Sequence, residues 1–449
     1  MNEGELHIMV GKSGYDNGIL SELEIVLGKR IKTEVISDER IETLLLSHYP
    51  RARNHDDLHA AEVLKLNVHA NNFLESLVKE AKNLNSSDIH IETYGDKNRI
   101  RFRVDGQLID RHKLDKSEYP TLINKIKIAA GCDIAEKRLP QDGRIRFQFG
   151  NSKLDMRVSI LPTLYGEKIV LRLLGSDASH IEIEKLGFAA DEMERYKIAV
   201  QKPNGIILIS GPTGSGKTTT LYATLKQLNK ATSNILTIED PVEYTLDGIN
   251  QVQLKEDIGL TYSEALRTFL RQDPDIIMLG EIRDSQTAQM AIRAALTGHL
   301  VLSTIHTNSA WGTISRLIDM GVPGYLLANT LNLSVAQRLL RTLCPECKRK
   351  IVLDPALLPG KYRAIDIKEH YVAAGCNSCH FTGYKGRRAI YEVINITPVL
   401  AEEIKGNATN IDPYCKEHSI KKLADNALSV FRNGETSLDE IYPYLIHEN

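Results

Sequence analysis

No run of apolar residues in this 449-residue chain approaches the ~18 needed to cross a bilayer, and the run at 206–209 stops after four. A membrane-spanning chain is therefore not expected. Neither sign of charge is in surplus. The 56 basic and 58 acidic side chains leave a formal net charge of −2 and a pI near 6.7, which removes the basic surplus of a chain-wide nucleic-acid footprint. A local basic face stays open. The first ten residues carry Glu3 and Glu5 and no basic stretch ahead of an apolar one, so no secretory signal is read there. These absences together predict a cytoplasmic protein. Internal repeats and low-complexity tracts are lacking too. Cysteine is sparse, six in all, yet four of the six form two Cys-x-x-Cys pairs. In a reducing compartment that pattern points to metal rather than disulfides.

What is present suffices for folded cores: 42% apolar residues, and a length that suggests about three domains. Residues 1–62 mix short apolar runs (19–27, 41–46) with a polar connection at 50–62. Phe73, Leu74, Leu77, Val78, Ala81 and Leu84 then fall on one stripe and predict a helix over 71–84, with Asn71 or Asn72 as cap. The period switches to two where Ile100, Phe102 and Val104 alternate with Arg99, Arg101 and Arg103, and Asp105-Gly106 supplies a hairpin turn. Residues 145–149, 157 and 169–174 continue the alternation. Residues 63–178 thus read as an α+β domain whose sheet has one arginine-bearing face. After a joint at 175–179, short apolar strands alternate with helices through 179–449, which signals an α/β, doubly wound parallel sheet. Strands are expected at 205–210, 234–238, 275–279 and 300–304. A cysteine-bearing subdomain (340–395) and a mainly helical tail (396–449), with a capping box at Ser437 and Glu440, complete the reading.

Gly211-Pro-Thr-Gly-Ser-Gly-Lys217-Thr218 fits G-x-x-x-x-G-K-[ST] directly after a strand and before a helix. Gly211, Pro212, Thr213, Gly214, Ser215 and Gly216 would present backbone N–H groups to phosphates, with the positive helix end and Thr219 behind them. Lys217 would bridge the β- and γ-phosphates, and the Thr218 hydroxyl would ligate Mg²⁺. The bland alternative is a glycine-rich turn without a ligand.

The strand at 275–279 ends in Gly280-Glu281, and Glu281 is the candidate for polarising an attacking water, since an ordinary glutamate is ionised at pH 7. Glu239 and Asp240, at another strand end, would hold Mg²⁺ through water or orient the nucleophile; a turn-forming Asp-Pro is the rival reading. His299 and His306 flank the strand at 300–304, and His306 is the better placed to sense a γ-phosphate. Charge on a transferring phosphoryl needs arginine, for which Arg157, Arg172, Arg267, Arg271 and Arg283 are candidates. Cys344, Cys347, Cys376 and Cys379 can close a tetrahedral structural zinc site, with a redox dithiol as rival. The 28 residues between the pairs require a folded insertion. Cys132 and Cys415 read as ordinary thiols.

Three runs, at 238–244, 270–284 and 297–308, together resemble the secretion ATPase superfamily. Within it, the two cysteine pairs and the run Gly383-Tyr-Lys-Gly-Arg387 resemble the type II secretion and type IV pilus assembly ATPases. The resemblance covers about 65–395. It implies a homohexamer of RecA-like P-loop ATPase domains, each joined to a PAS-like domain that matches the α+β domain above, with a zinc-binding insertion. It implies ATP as the nucleotide, Glu239 and Asp240 as the family's "Asp box", Glu281 as its Walker B glutamate, His299 and His306 as its "His box", and Arg157 and Arg172 as arginines reaching the nucleotide from the smaller domain. The activity implied is an ATP hydrolase driving pilus or pseudopilus assembly or type II secretion. Its implied partners are an inner-membrane platform protein and a cytoplasmic-face adaptor, 1–62 being the candidate docking region and membrane association peripheral. No specific nucleic-acid partner is expected. The rivals are a retraction ATPase, which would lack the four cysteines, a conjugation-type ATPase translocating DNA along the arginine face, and a non-hydrolysing nucleotide-sensing scaffold.

Overall fold

The structure, a computed structural model, describes residues 5–11, 24, 30–37, 72–95, 97–149, 152–174, 182–408 and 410–446. The chain divides into two compact units, Met1–Val63 and Leu64–Asn449. In the first, β1 (Glu5–Gly11) and β2 (Arg30–Ile36) pair in parallel. The apolar runs at 19–27 (Glu24 apart) and 41–46, the connection at 50–62 and the joint at 175–179 lie outside the described residues.

In the second unit, α1 (Phe73–Asn83) buries Phe73, Leu77, Val78 and Ala81 on the stripe that the sequence period predicts. Asn72 takes the cap position without a side-chain capping bond. Its backbone (φ −101°, ψ 15°) is not in the extended region that aims a cap at the first turn. This helix and α2 (Tyr119–Ala130) share one core with a six-stranded antiparallel sheet ordered β5-β4-β3-β8-β7-β6. Its strands are β3 (Asp88–Tyr94), β4 (Lys97–Val104), β5 (Gln107–Leu114), β6 (Gln141–Phe149), β7 (Ser152–Thr163) and β8 (Gly166–Leu174). Asp105 and Gly106 make the predicted β4–β5 turn, both left-handed (φ +49° and +86°). Ile100 and Phe102 face the core, and the arginines between them face away.

That arginine face is partly neutralised from within. Glu92, 1% exposed, pairs with Arg99, with Arg101 (2.9 Å) and with Lys168 (2.9 Å), while Asp88 takes Arg103 (3.6 Å) and Arg172 (3.1 Å). Burial alone would push the Glu92 carboxyl up. Hydrogen bonds from Arg101 and Lys168 outweigh it and hold the group at about 2.

The rest of the unit is built on a seven-stranded sheet ordered β11-β10-β12-β13-β9-β14-β17. It contains β9 (Gly205–Ser210), β10 (Ile235–Glu239), β11 (Asn250–Gln253), β12 (Ile276–Leu279), β13 (Leu300–Ile305), β14 (Leu331–Leu343) and β17 (Tyr384–Asn395). All neighbours are parallel except β14 and β17. The four expected strands appear within a residue of their predicted ends. Ile207 and Ile209 pack against α3 (Ala190–Val200) and α4 (Lys217–Leu228), and Ile206 and Leu208 against the opposite helix layer, which includes α5 (Tyr262–Phe269) and α6 (Ser285–Leu296). Burial on both faces explains the unbroken apolar runs of β9 (206–209) and β12 (276–279).

Two readings change. β14 and β17 belong to the central sheet, so the cysteine-bearing insertion is the stretch 344–383 between them, carrying the hairpin of β15 (Arg349–Val352) and β16 (Glu369–Val372). The pair Ser437 and Glu440 also bonds elsewhere than in a capping box. Ser437 shares a hydrogen bond with the Tyr384 hydroxyl (2.7 Å), and the Glu440 carboxylate accepts the backbone N–H (2.9 Å) and guanidinium (2.6 Å) of Arg341, tying the last helix, Leu438–Ile446, to β14. Among the described residues no helix is long and apolar enough to cross a membrane.

Candidate active site

The loop 211–216 joins β9 to α4, and three left-handed glycines shape it: Gly211 (φ +151°), Gly214 (+81°) and Gly216 (+87°). A Cβ on Gly211 would lie 2.6 Å from both the Gln337 carbonyl and the Ser215 hydroxyl, and one on Gly216 would lie 2.8 Å from the Gln337 side chain. β14 therefore presses on the loop from one side. Gly214 has nothing within 4 Å of its Cβ position, so the loop is open there. Lys217 is 8% exposed and its ammonium donates to the loop's own carbonyls, Gly211 (2.8 Å) and Pro212 (3.0 Å). Burial lowers its pKa, with Glu281 opposing the shift. Among the described residues the buried Ser215 hydroxyl has no hydrogen-bond partner. A cation held only by carbonyls, an orphan hydroxyl and an open glycine turn at a helix start fit a phosphate chain. Thr218 is exposed at the first turn and Thr219 half-buried behind it, so the Thr218 hydroxyl is free to meet a phosphate-bound cation.

The neighbouring strand ends carry the remaining groups. Because β9, β13 and β12 are parallel and in register, Glu281 and His306 both emerge at the phosphate-loop end of the sheet. Backbone bonds stitch these loops together: Gly211 N–H to the Ile305 carbonyl (3.4 Å) and Ile282 N–H to the Thr304 carbonyl (2.9 Å). One Glu281 oxygen takes a short contact from Arg283, and the other lies 3.3 Å from His306 Nε2. Burial pushes this carboxyl up, but Arg283 and then His306 outweigh it and leave the pKa lowered, so Glu281 is ionised. Arg283 also reaches Asp240 (3.4 Å).

Glu239 behaves differently. It is buried away from cations and accepts bonds from Tyr222, from Thr237 (2.6 Å) and from Gln251 (3.1 Å). Burial raises its pKa, and these neutral donors only partly offset the rise. Its exposed neighbour Asp240, rather than Glu239, faces Arg283.

His299 is not brought to this cluster. It lies at the other end of β13, where its carbonyl accepts the Gly205 N–H (3.1 Å) and its ring bonds the Ala294 carbonyl (2.9 Å). Six strand residues, about 20 Å, separate it from His306. Flanking one strand on both sides puts the two histidines at opposite ends of that strand. Arg157 and Arg172 stand opposite each other on β7 and β8, and among the described residues neither bonds to the phosphate loop. Arg267 contacts Glu264, and Arg271 donates to the Arg267 carbonyl (3.0 Å). Gln337 and Arg338 on β14, and Tyr222 and Gln251 around Glu239, went unread in the sequence. Only recognition of β14 as a strand would have placed the first pair beside the loop.

The four cysteine sulfurs lie within 4.8 Å of one another, at 3.9 Å for 344–376, 3.8 Å for 347–379 and 3.8 Å for 376–379. Zinc–sulfur bonds of about 2.3 Å in a tetrahedron require sulfurs about 3.8 Å apart. Backbone N–H groups of Gly375, Cys376 and Gly383 point at these sulfurs (3.2 Å each), as thiolate ligands need. The donor set therefore fits zinc. Cys132 and Cys415 stand apart from it.

A parallel sheet wound on both faces, with a phosphate loop after one strand and a carboxylate beyond the next but one, defines a RecA-like P-loop ATPase. A family profile described as Type II/IV secretion system protein matches residues 67–443, and the chain belongs to that family of secretion ATPases. It is 44% identical over 412 residues to the putative type II secretion system protein E of Escherichia coli K12, spanning 90% of this chain and 81% of that protein. With the type IV pilus assembly ATPase PilB of Myxococcus xanthus it shares 45% over 377 residues, spanning 81% and 66%. The X-ray structure of the Legionella pneumophila ATPase DotB has the same fold, with a TM-score of 0.63 at 21% identity over 86% of this chain and 100% of that one.

Proposed function

We propose that this chain is a cytoplasmic motor that works as a homohexamer and couples ATP hydrolysis to pilus or pseudopilus assembly or to type II protein secretion. It would act through an inner-membrane platform protein, with the N-terminal region 1–62 docking an adaptor. The carrying observation is the convergence of the phosphate loop, Glu281 and His306 on adjacent strand ends, in a chain 45% identical to a pilus assembly ATPase.

The chemistry follows from the residues. Lys217 exchanges its two loop carbonyls for β- and γ-phosphate oxygens, a stronger partner for a desolvated ammonium. The Ser215 hydroxyl and the N–H groups of 213–218 complete the phosphate cradle. Magnesium, when bound at the Thr218 hydroxyl, neutralises charge on the phosphates. Ionised Glu281 orients the attacking water, with His306 and Arg283 fixing its two oxygens. Asp240 holds Arg283 in that position, and Glu239 anchors the strand end to α4 through Tyr222. Arg157 and Arg172, on the outward face of the small domain, meet the developing phosphoryl charge when that domain closes. Closure does mechanical work to the extent that ATP binds the closed state more tightly than the open one. The four thiolates hold a structural zinc.

ATP turnover by the wild type, Lys217→Ala and Glu281→Gln tests this reading, with native mass measured with and without a non-hydrolysable analogue. Both variants should lose at least about 10²-fold in turnover, Glu281→Gln should keep nucleotide binding, and the mass should be six-fold. Normal turnover by Glu281→Gln would remove the water-directing role, and a monomer under every condition would remove the hexamer.

A further inference from the structure

The run Gly383–Arg387 carries no part of the nucleotide chemistry above, yet it is tightly shaped. Gly383 is left-handed (φ +77°), and a Cβ there would lie 2.5 Å from that of Ala373. Its N–H donates to Cys379 Sγ (3.2 Å), and its carbonyl accepts the Cys344 N–H (2.9 Å), so two of the four cysteines grip this residue. Lys385 reaches back to Ser378 (3.1 Å) inside the second cysteine pair. On the other side, the Tyr384 ring lies under the Arg341 guanidinium (3.9 Å), tying the run to the central sheet. Gly386 is also left-handed (φ +83°), but with open space around its Cβ position. Glycine is thus needed there for backbone conformation and not for room.

What this turn presents is a docking point for the small domain. The Gly386 N–H donates to Asp105 Oδ2 at 2.7 Å, and Arg387 Nε lies 3.8 Å from Asp105 Oδ1. Asp105 sits at the tip of the β4–β5 hairpin in the left-handed conformation that its turn demands. Beside this contact a cleft of about 410 Å³ stays open between Asn85 and Gln107 of the small domain and His380 and Lys385 of the insertion. The junction thus joins two polar contacts to an open cleft, the kind of interface across which domains move.

We propose that the tetracysteine centre and the Asp105 hairpin form an intramolecular latch. With its metal in place, the centre holds the 383–387 turn in the shape that offers Gly386 N–H and Arg387 to Asp105. The small domain is thereby docked reversibly on the ATPase domain of the same chain. Metal occupancy then sets how readily the small domain swings. The metal half rests on the zinc reading above; the Asp105 half does not.

Amide hydrogen exchange on the full chain, with zinc content measured in parallel, tests both halves. Asp105→Gly keeps the left-handed turn and removes the carboxylate, whereas Asp105→Asn keeps an oxygen for Gly386 and removes the charge. In Asp105→Gly, peptides covering 384–388 and 97–114 should exchange about five- to ten-fold faster, with a smaller rise in Asp105→Asn and unchanged zinc. Chelating zinc from the wild type should reproduce the rise in both peptides. Unchanged exchange in Asp105→Gly, or a rise confined to the hairpin, overturns the latch. A chelated wild type that still protects Gly386, or protein that never held zinc, overturns the metal's control of it.

Discussion

The two sheets of the larger unit treat buried charge in opposite ways. In the antiparallel sheet, Glu92 is surrounded by Arg99, Arg101 and Lys168, and its pKa falls to about 2. At the phosphate-loop edge of the parallel sheet, Glu239 has only neutral donors and its pKa rises, while buried Lys217 has only carbonyl partners and its pKa falls. Desolvation acts on all three groups, and whether an opposite charge is hydrogen-bonded directly to the group, as at Glu92, or acts only from a distance, as Glu281 does on Lys217, decides the sign. A cluster whose carboxylate is met by fixed cations is structural. One that leaves a cation facing carbonyls is built to be completed by a ligand, which here would be the phosphates.

If that contrast is correct, the largest response comes from unbalancing the closed cluster. Glu92→Gln leaves Lys168 facing a neutral amide and Arg99 and Arg101 with Asp110 alone (3.5 and 4.0 Å), and should cost about 3 kcal/mol of stability at pH 7, read by chemical denaturation, without changing turnover per folded molecule. The pH dependence has a definite sign. A carboxyl depressed to about 2 contributes its stability above the ordinary range near 4.5 and loses it as pH falls toward 2. Wild type should therefore lose stability across that window and Glu92→Gln much less. Equal acid sensitivity in the two proteins would show that Glu92 is not the group responsible.

A smaller effect is expected at Glu239. Tyr222→Phe removes a hydrogen-bond donor to a carboxylate already short of them, at a cost of about 1–2 kcal/mol at pH 7. Here the linkage runs the other way. A carboxyl raised by burial favours the folded state below its ordinary pKa and loses that contribution as pH rises through the raised value. The variant's deficit should therefore shrink when stability is measured near pH 4. A deficit that stayed constant with pH would assign the cost to the hydroxyl's other contacts, such as the Glu243 N–H it accepts (3.3 Å), and not to the Glu239 contact.

How much of this was legible in the sequence depended on whether a residue's surroundings were local. The phosphate loop, the Asp105-Gly106 turn and the α1 stripe are short-range patterns, and each appears where it was read. β14 escaped because Leu331–Leu343 is buried on both faces in mid-sheet and carries no alternation to separate it from a helix. With it went Gln337 and Arg338, the walls of the phosphate loop. His299 and His306 flank one strand, His306 reads as the better placed of the two, and strand direction is what separates them. The arginine face was visible as a period of two, but its neutralisation depends on Glu92 and Asp88 lying one strand over, which a single strand's pattern does not contain. The cysteine pairs were plain, while the grip of Cys344 and Cys379 on Gly383 is a tertiary fact.

The same neutralisation bears on the conjugation-type rival, in which the arginine face would line a nucleic-acid channel. Affinity for a polyanion comes from cations whose counter-charge is mobile salt, released on binding. Arg99, Arg101, Arg103, Arg172 and Lys168 instead face Glu92, Asp88 and Asp110, fixed carboxylates that cannot be released. A strand of DNA approaching this face would have to displace those pairs and would meet the carboxylates themselves. Five cations less three carboxylates leaves a surplus of two, so single-stranded DNA should show a slope of log affinity against log salt of about −1.4 rather than the about −3.5 that five unpaired cations would give. A slope as steep as five phosphates would give would mean that the pairs open on contact, and the face would then have to be treated as a binding surface despite them.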